Sequence, residues 1–135
     1  MSVVLVPIDG SEASERALAR GAEAARELGL PVLVLQVVPT ALSSDVSGLD
    51  ATSDDAEYEF ARGCVDKGLE ILRNLGASGE GMVIRGAPIQ VIREQIEAMK
   101  PALVVIGARA QDGVMPEGSM PAKLRDWAPR LEVVE

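Results

Sequence analysis

The feature that most constrains this chain is the regular exchange of short, wholly apolar runs with longer stretches of helical periodicity. Ser2–Ile8 is a β-branched run with no polar alternation before Pro7, the mark of a strand covered on both faces. Asp9-Gly10-Ser11 interrupts it, and Ser11 can cap a helix whose first turn carries Glu12 and Glu15. Leu18, Ala22, Ala25 and Leu28 then recur at helical spacing until Gly29 and Pro31 end the element. Val32–Val38 reads as a second buried strand, and the Ser-, Asp- and Gly-rich stretch Pro39–Asp55 as a long loop.

The same alternation continues to the end of the sequence. A second helix is expected from about Asp54 to Leu75, with Ala61, Val65, Leu69, Leu72 and Leu75 on one stripe. Gly76 to Gly81 reads as a loop and Met82–Arg85 as a short third strand. Pro88 suits the first turn of a third helix, with Ile89, Ile92, Ile96 and Met99 facing inward. Pro101 stops it before strand four, Ala102–Ile106. Gly107–Gly118 is then a loop, Ser119–Trp127 a short fourth helix and Leu131–Val134 a final strand. Buried strands alternating with helices specify a parallel sheet with right-handed crossovers, here one doubly wound α/β domain over residues 1–135. Ligands of such sheets bind outside the carboxyl ends of the strands, where the strand order reverses.

Composition removes whole classes of function. With 135 residues and 47% apolar content the chain can bury a core without disulfide or metal. No histidine is present, which excludes His-based triads, Cys-His dyads and His metal sites. Cys64 is the sole cysteine, so a disulfide within the chain is excluded, and its spacing from Phe60 and Ala61 reads as buried filler. The net charge of −8 comes from 21 acidic and 13 dispersed basic residues, against the clustered cations that nucleic acid requires. Tyr58, Phe60 and Trp127 are the only aromatics, too few for a base-stacking platform. Neither a signal peptide nor a membrane-length apolar run is read, so a soluble, cytoplasmic protein is expected.

Chemistry concentrates in the loop after strand four. Glycines there let backbone approach a ligand, and the N–H groups of a helix start suit phosphate. Ser119 adds a hydroxyl and Arg109 the loop's only cation; an ordinary turn with a Ser119 helix cap accounts for the same residues. Gly113 to Gly118 has P-loop glycine spacing, but Ser119 stands where that motif needs Lys. Asp9 can take hydrogen bonds from a ribose or a base, or simply cap its own turn.

The segments Val3–Glu12, Arg85-Gly86-Ala87-Pro88 with Ile89, Ile92 and Ile96, Leu103–Arg109 and Gly118-Ser119 together resemble the universal stress proteins. The resemblance covers nearly the whole chain and implies a Rossmann-like, adenine nucleotide alpha hydrolase-like sheet of five parallel strands ordered 3-2-1-4-5, flanked by four helices. It also implies a homodimer built through the last strand, here Leu131–Val134, and in many members ATP, with Mg, on a Gly-x2-Gly-x9-Gly-Ser/Thr loop. Carried over, the nucleotide-binding residues are Pro7, Asp9, Val37, Gly107, Gly118 and Ser119, with Arg109 the natural anion partner. Two departures stand out: Ala110 replaces the second glycine, and residues 111–117, seven rather than nine, separate it from Gly118. A methyl where positive φ or close approach is needed costs on the order of 1 kcal/mol or more. The expectation is a stress-response or signalling module with weak or no ATP binding, the alternative an ATP-regulated sensor. No pair of groups suits acid–base catalysis, so no enzymatic role is expected.

Overall fold

A computed structural model of the chain describes residues 2–39, 50–107 and 130–134. Five parallel strands, β1 (Val4–Ile8), β2 (Val32–Val38), β3 (Gly79–Arg85), β4 (Leu103–Gly107) and β5 (Leu131–Val134), form one sheet in the order β3-β2-β1-β4-β5. Three helices occur among the described residues: α1 (Glu12–Leu28), α2 (Asp50–Asn74) and α3 (Pro88–Met99). The expected fourth helix, Ser119–Trp127, and the loop before it lie outside the described residues.

The central strand explains the apolar run at the start of the chain. Val4, Leu5 and Val6 are wholly buried because α1 and α2 cover one face of the sheet and α3 the other. Val4, Val6, Val32, Val34 and Val105 pack with Leu18, Val65 and Leu72 on the first face. Leu5, Leu33, Leu35, Val104 and Ile106 pack with Ile92 and Ile96 on the second. A residue-for-residue parallel register joins β1 to β2 from Val4↔Val32 to Ile8↔Gln36.

Helix ends follow local chemistry. Ser11 Oγ accepts the Ser14 N–H at 3.2 Å, and Asp9 Oδ1 accepts the Ser11 N–H at 2.9 Å, so one short turn is held by two side chains. Gly29 closes α1 in the left-handed conformation at φ 68°. α3 also ends left-handed, on Lys100 at φ 45°. The helix therefore stops one residue before Pro101, and the proline is not its only terminator.

Several expectations are corrected. Leu28, Leu75 and Met99 were placed on buried stripes, but each is the last apolar residue at its helix end, and they are 45%, 41% and 38% exposed. α2 starts at Asp50, so the expected loop is shorter than the Ser- and Asp-rich composition indicated. β3 starts at Gly79, three residues early, because Gly79 and Gly81 pair with Val32 and Val34 of β2. A Cβ at Gly79 would lie 2.7 Å from Leu72 Cδ1, and one at Gly81 2.2 Å from Val65 Cγ1. These glycines let α2 sit down on the sheet. Cys64 is half-buried rather than core filler.

β5 is tied to α1 by a two-pronged ion pair. Arg20 Nε donates to Glu132 Oε2 at 2.6 Å and Arg20 Nη2 to Glu132 Oε1 at 2.9 Å. Hydrogen bonding to Arg20 holds the Glu132 carboxyl below its ordinary value near 4.5. Its stabilisation is therefore complete above that value and is lost as pH falls toward the lower folded value. With both side chains about a third exposed, the pair contributes a few tenths to about 1 kcal/mol. Glu132→Gln is expected to lower the melting midpoint at pH 7, with the gap to the parent closing below about pH 4.5.

Gly107 is a second steric keystone. A Cβ there would stand 2.4 Å from the Ala13 carbonyl carbon and oxygen, which are backbone and cannot rotate away. Gly107→Ala is expected to cost about 2 kcal/mol, on the order of 5–10 °C in the thermal midpoint. Gly63 has open space around it in α2, so Gly63→Ala should instead stabilise by about 0.5–1 kcal/mol. Equal effects in differential scanning calorimetry would refute this packing assignment.

Candidate functional site

The carboxyl ends of β1, β2 and β4 enclose a cleft of about 350 Å³ on the α3 side of the sheet. Pro7 and Asp9 reach it from the end of β1, Leu35 and Val37 from β2, Ile106 and Gly107 from β4, and Pro88 and Ile92 from α3. Pro7 and Asp9 are thus brought together with Val37 and Gly107, which lie far from them in sequence. The remaining candidates, Arg109, Gly118 and Ser119, lie outside the described residues.

Local backbone chemistry builds the polar edge of this cleft. Gly10 takes φ 85°, which turns the chain sharply after β1 and aims Asp9 back over Ser11. Ser14, almost fully buried, donates through its hydroxyl to the Ser11 carbonyl at 2.9 Å, tightening the same turn. Asp9 therefore caps its own turn and lies on the edge of the cleft. The walls are flat and apolar, from Leu35, Val37, Ile92 and Ile106. The close backbone of Ala13 by itself requires glycine at Gly107.

Pro88, in the first turn of α3, lines the cleft from the strand end where a ligand is expected; Gly86 before it donates its N–H to the Val38 carbonyl at 3.0 Å and holds the α3 entry to β2. One part of the surroundings has no counterpart in the sequence analysis. On the opposite sheet face, a groove of about 340 Å³ lies between α1 and α2, bordered by Gly10, Leu18, Phe60, Cys64 and Gly68. Lys67 Nζ spans it to Glu15 Oε1 at 2.9 Å. The signal for the groove was the pair Gly63 and Gly68, small residues on a helix face that otherwise carries large ones. Burial pushes the Cys64 thiol up, with Lys67 opposing and Asp9 adding to it. The thiol therefore stays protonated at neutral pH, the opposite of what a redox-sensing cysteine needs.

Among the described residues no cluster of three or more acidic or cysteine side chains is arranged to hold a metal. No helix among them is long and apolar enough to cross a membrane.

Known proteins share this fold. The fold matches a universal stress protein UspA from Lactobacillus plantarum with TM-score 0.84 and 20% identity, over 99% of this chain and 97% of that one. It matches the universal stress protein from Archaeoglobus fulgidus in complex with dAMP with TM-score 0.72 and 22% identity, over 100% and 98%. Over 78 residues the sequence is 37% identical to the sensor histidine kinase RegB of Cereibacter sphaeroides, a match that takes in 56% of this chain. This chain spans only 16% of that kinase's length. The family model of the universal stress proteins matches residues 1–120, and the chain belongs to that family.

Proposed function

We propose that this protein is a nucleotide-responsive stress or signalling module that holds an adenine nucleoside monophosphate in the β1–β2–β4 cleft and takes ATP, with Mg, only weakly. The observation that carries this reading is the convergence of Pro7, Asp9, Val37 and Gly107 on one cleft of about 350 Å³. Its apolar walls suit a flat base, and the Asp9 carboxylate at its edge suits a ribose hydroxyl or an exocyclic amine. Among the described lining residues there is neither Lys nor Arg. Neutralisation of phosphate charge then falls to the loop beyond Gly107, where Arg109 and Ser119 are the candidates. In that loop Ala110 and the shortened spacing disfavour wrapping a triphosphate. The dAMP complex of the Archaeoglobus protein supports a single phosphate as sufficient in this fold.

Asp9 is the one ionisable side chain among the described residues lining the cleft. General acid–base chemistry needs a second group, so the reading is a binding protein rather than an enzyme. The protein is also proposed to be a homodimer through β5, whose four residues are all half-buried and whose outer edge has no strand partner among the described residues.

Thermal melts with AMP, ADP and Mg-ATP test the nucleotide reading. Ligand at 100 times its Kd stabilises by about 2.7 kcal/mol, on the order of 10 °C for a domain of this size. AMP is expected to approach that shift, Mg-ATP to fall well short of it, and Asp9→Ala to abolish it. A flat response to all three nucleotides would leave the protein a nucleotide-free interaction module. Removal of residues 131–135 is expected to move the protein toward monomer in analytical ultracentrifugation; a dimer that survives the truncation puts the interface elsewhere.

A further inference from the structure

Two neighbouring features of α2 lack a reason within a single chain. Gly63 sits exposed at the middle of the helix, and no heavy atom of the described residues stands within 4 Å of a Cβ built on it. Glycine is a poor choice for a helix interior, so a position with room for a side chain gains nothing from it in the monomer. About one turn earlier, Phe60 leaves 63% of its surface in water, the most exposed large apolar side chain among the described residues. The other glycines nearby behave differently. A Cβ at Gly68 would stand 3.1 Å from Leu18 Cδ1, and one at Gly10 3.0 Å from Cys64 Sγ, so packing keeps these two small.

Gly63 and Phe60 both border the groove between α1 and α2, whose floor is formed by the buried Ile8 and Leu18. An apolar space of about 150 Å³ holds one benzene-sized ring, and the groove offers about 340 Å³. Cys64, kept neutral by burial, lines it with a soft sulfur that suits an aromatic edge. Charge is balanced about Gly63: Glu59 lies four residues before it and Lys67 four after, both exposed and both on the groove. Lys67 uses one of its three ammonium donors on Glu15. The cavity beneath the first half of α2, bordered by Gln36, shares Asp9, Val37 and Pro39 with the nucleotide cleft and belongs to that site.

We propose that the groove between α1 and α2 is a self-association surface. Two copies of this chain pack α2 against α2, antiparallel and crossing at Gly63, and each seats its Phe60 ring in the groove of the other. A two-fold interface requires one patch to complement itself, and an aromatic knob beside a hole of its own size does so. Residues equally distant from an antiparallel crossing face each other, so Glu59 of each copy meets Lys67 of the other. The acid and the base are symmetric about the same glycine, which selects a second copy over an unrelated partner. Without a Cβ at the crossing, the two backbones approach closely. The contact leaves the β5 edge uncovered, so it is independent of the dimer proposed above, and with both contacts the chain assembles beyond a dimer.

Sedimentation velocity of the full chain across a wide concentration range reads this contact. The average mass is expected to rise with concentration, and Phe60→Ala to weaken that association at least tenfold. Gly63→Gln puts a side chain at the crossing where the monomer has room for one; it should raise the melting midpoint and abolish the association. Glu59→Lys and Lys67→Glu each set like charges across the interface, so neither variant should associate alone. Their mixture restores two opposite-charge pairs and should associate as the parent does, a recovery that a small-molecule pocket or a groove for an unrelated protein does not give. The β5 contact is read separately: the Phe60→Ala chain stops at a dimer if that contact holds and at a monomer if it fails, while the parent associates further in either case. Identical mass curves for the parent, Phe60→Ala and Gly63→Gln, or a mixture no more associated than its components, would overturn the proposal.

Discussion

Everything in this protein hangs on β1 being covered from both sides. Val4, Leu5 and Val6 leave no surface to water, and β2 and β4 hydrogen-bond to the two edges of β1. A strand so enclosed cannot shift register without carrying apolar side chains to the wrong face. The turn that follows it is therefore delivered to one place, where Gly10 and the Ser11 N–H orient the Asp9 carboxylate. The reversal of strand order at β1, with β2 leaving to one side and β4 to the other, opens the cleft at that same point.

Glycines adjust how closely the layers meet. Gly79 and Gly81 let α2 rest against β3, Gly21 admits the Val6 side chain against α1, and Gly107 admits the Ala13 backbone. Each marks a contact where a single methyl would collide. Packing accounts for the glycine at Gly107 on the cleft, and separates it from the loop glycine at Gly118, which lies outside the described residues. The cleft and the cavity beneath α2 are then two products of one sheet end, adjoining at Asp9, Val37 and Pro39.

The strands and helices were legible because burial on two faces writes itself as an unbroken apolar run, and burial on one helix face as a 3.6-residue stripe. Ser11 as a cap, Leu18, Ala22 and Ala25 as core, and Pro88 in the first turn of α3 all follow from such local rules. The errors have local causes too. Gly79 and Gly81 look like loop residues because glycine is a poor strand former on its own, yet pairing with β2 overrides that preference. Leu28, Leu75 and Met99 continue their stripes past the point where another element remains to cover them.

The sequence by itself determined the layer order, the buried strands and the identity of the turn carrying Asp9, because these depend on periodicity and on the residues next in line. The tertiary structure alone decided that Arg20 reaches Glu132 across 112 positions, and that Gln36 Oε1 is buried under α2 without a hydrogen-bond partner among the described residues. Those relations join residues distant along the chain, and no local pattern encodes a distance between them. They exist only once parallel pairing has set strand ends side by side and the helices have closed over both faces.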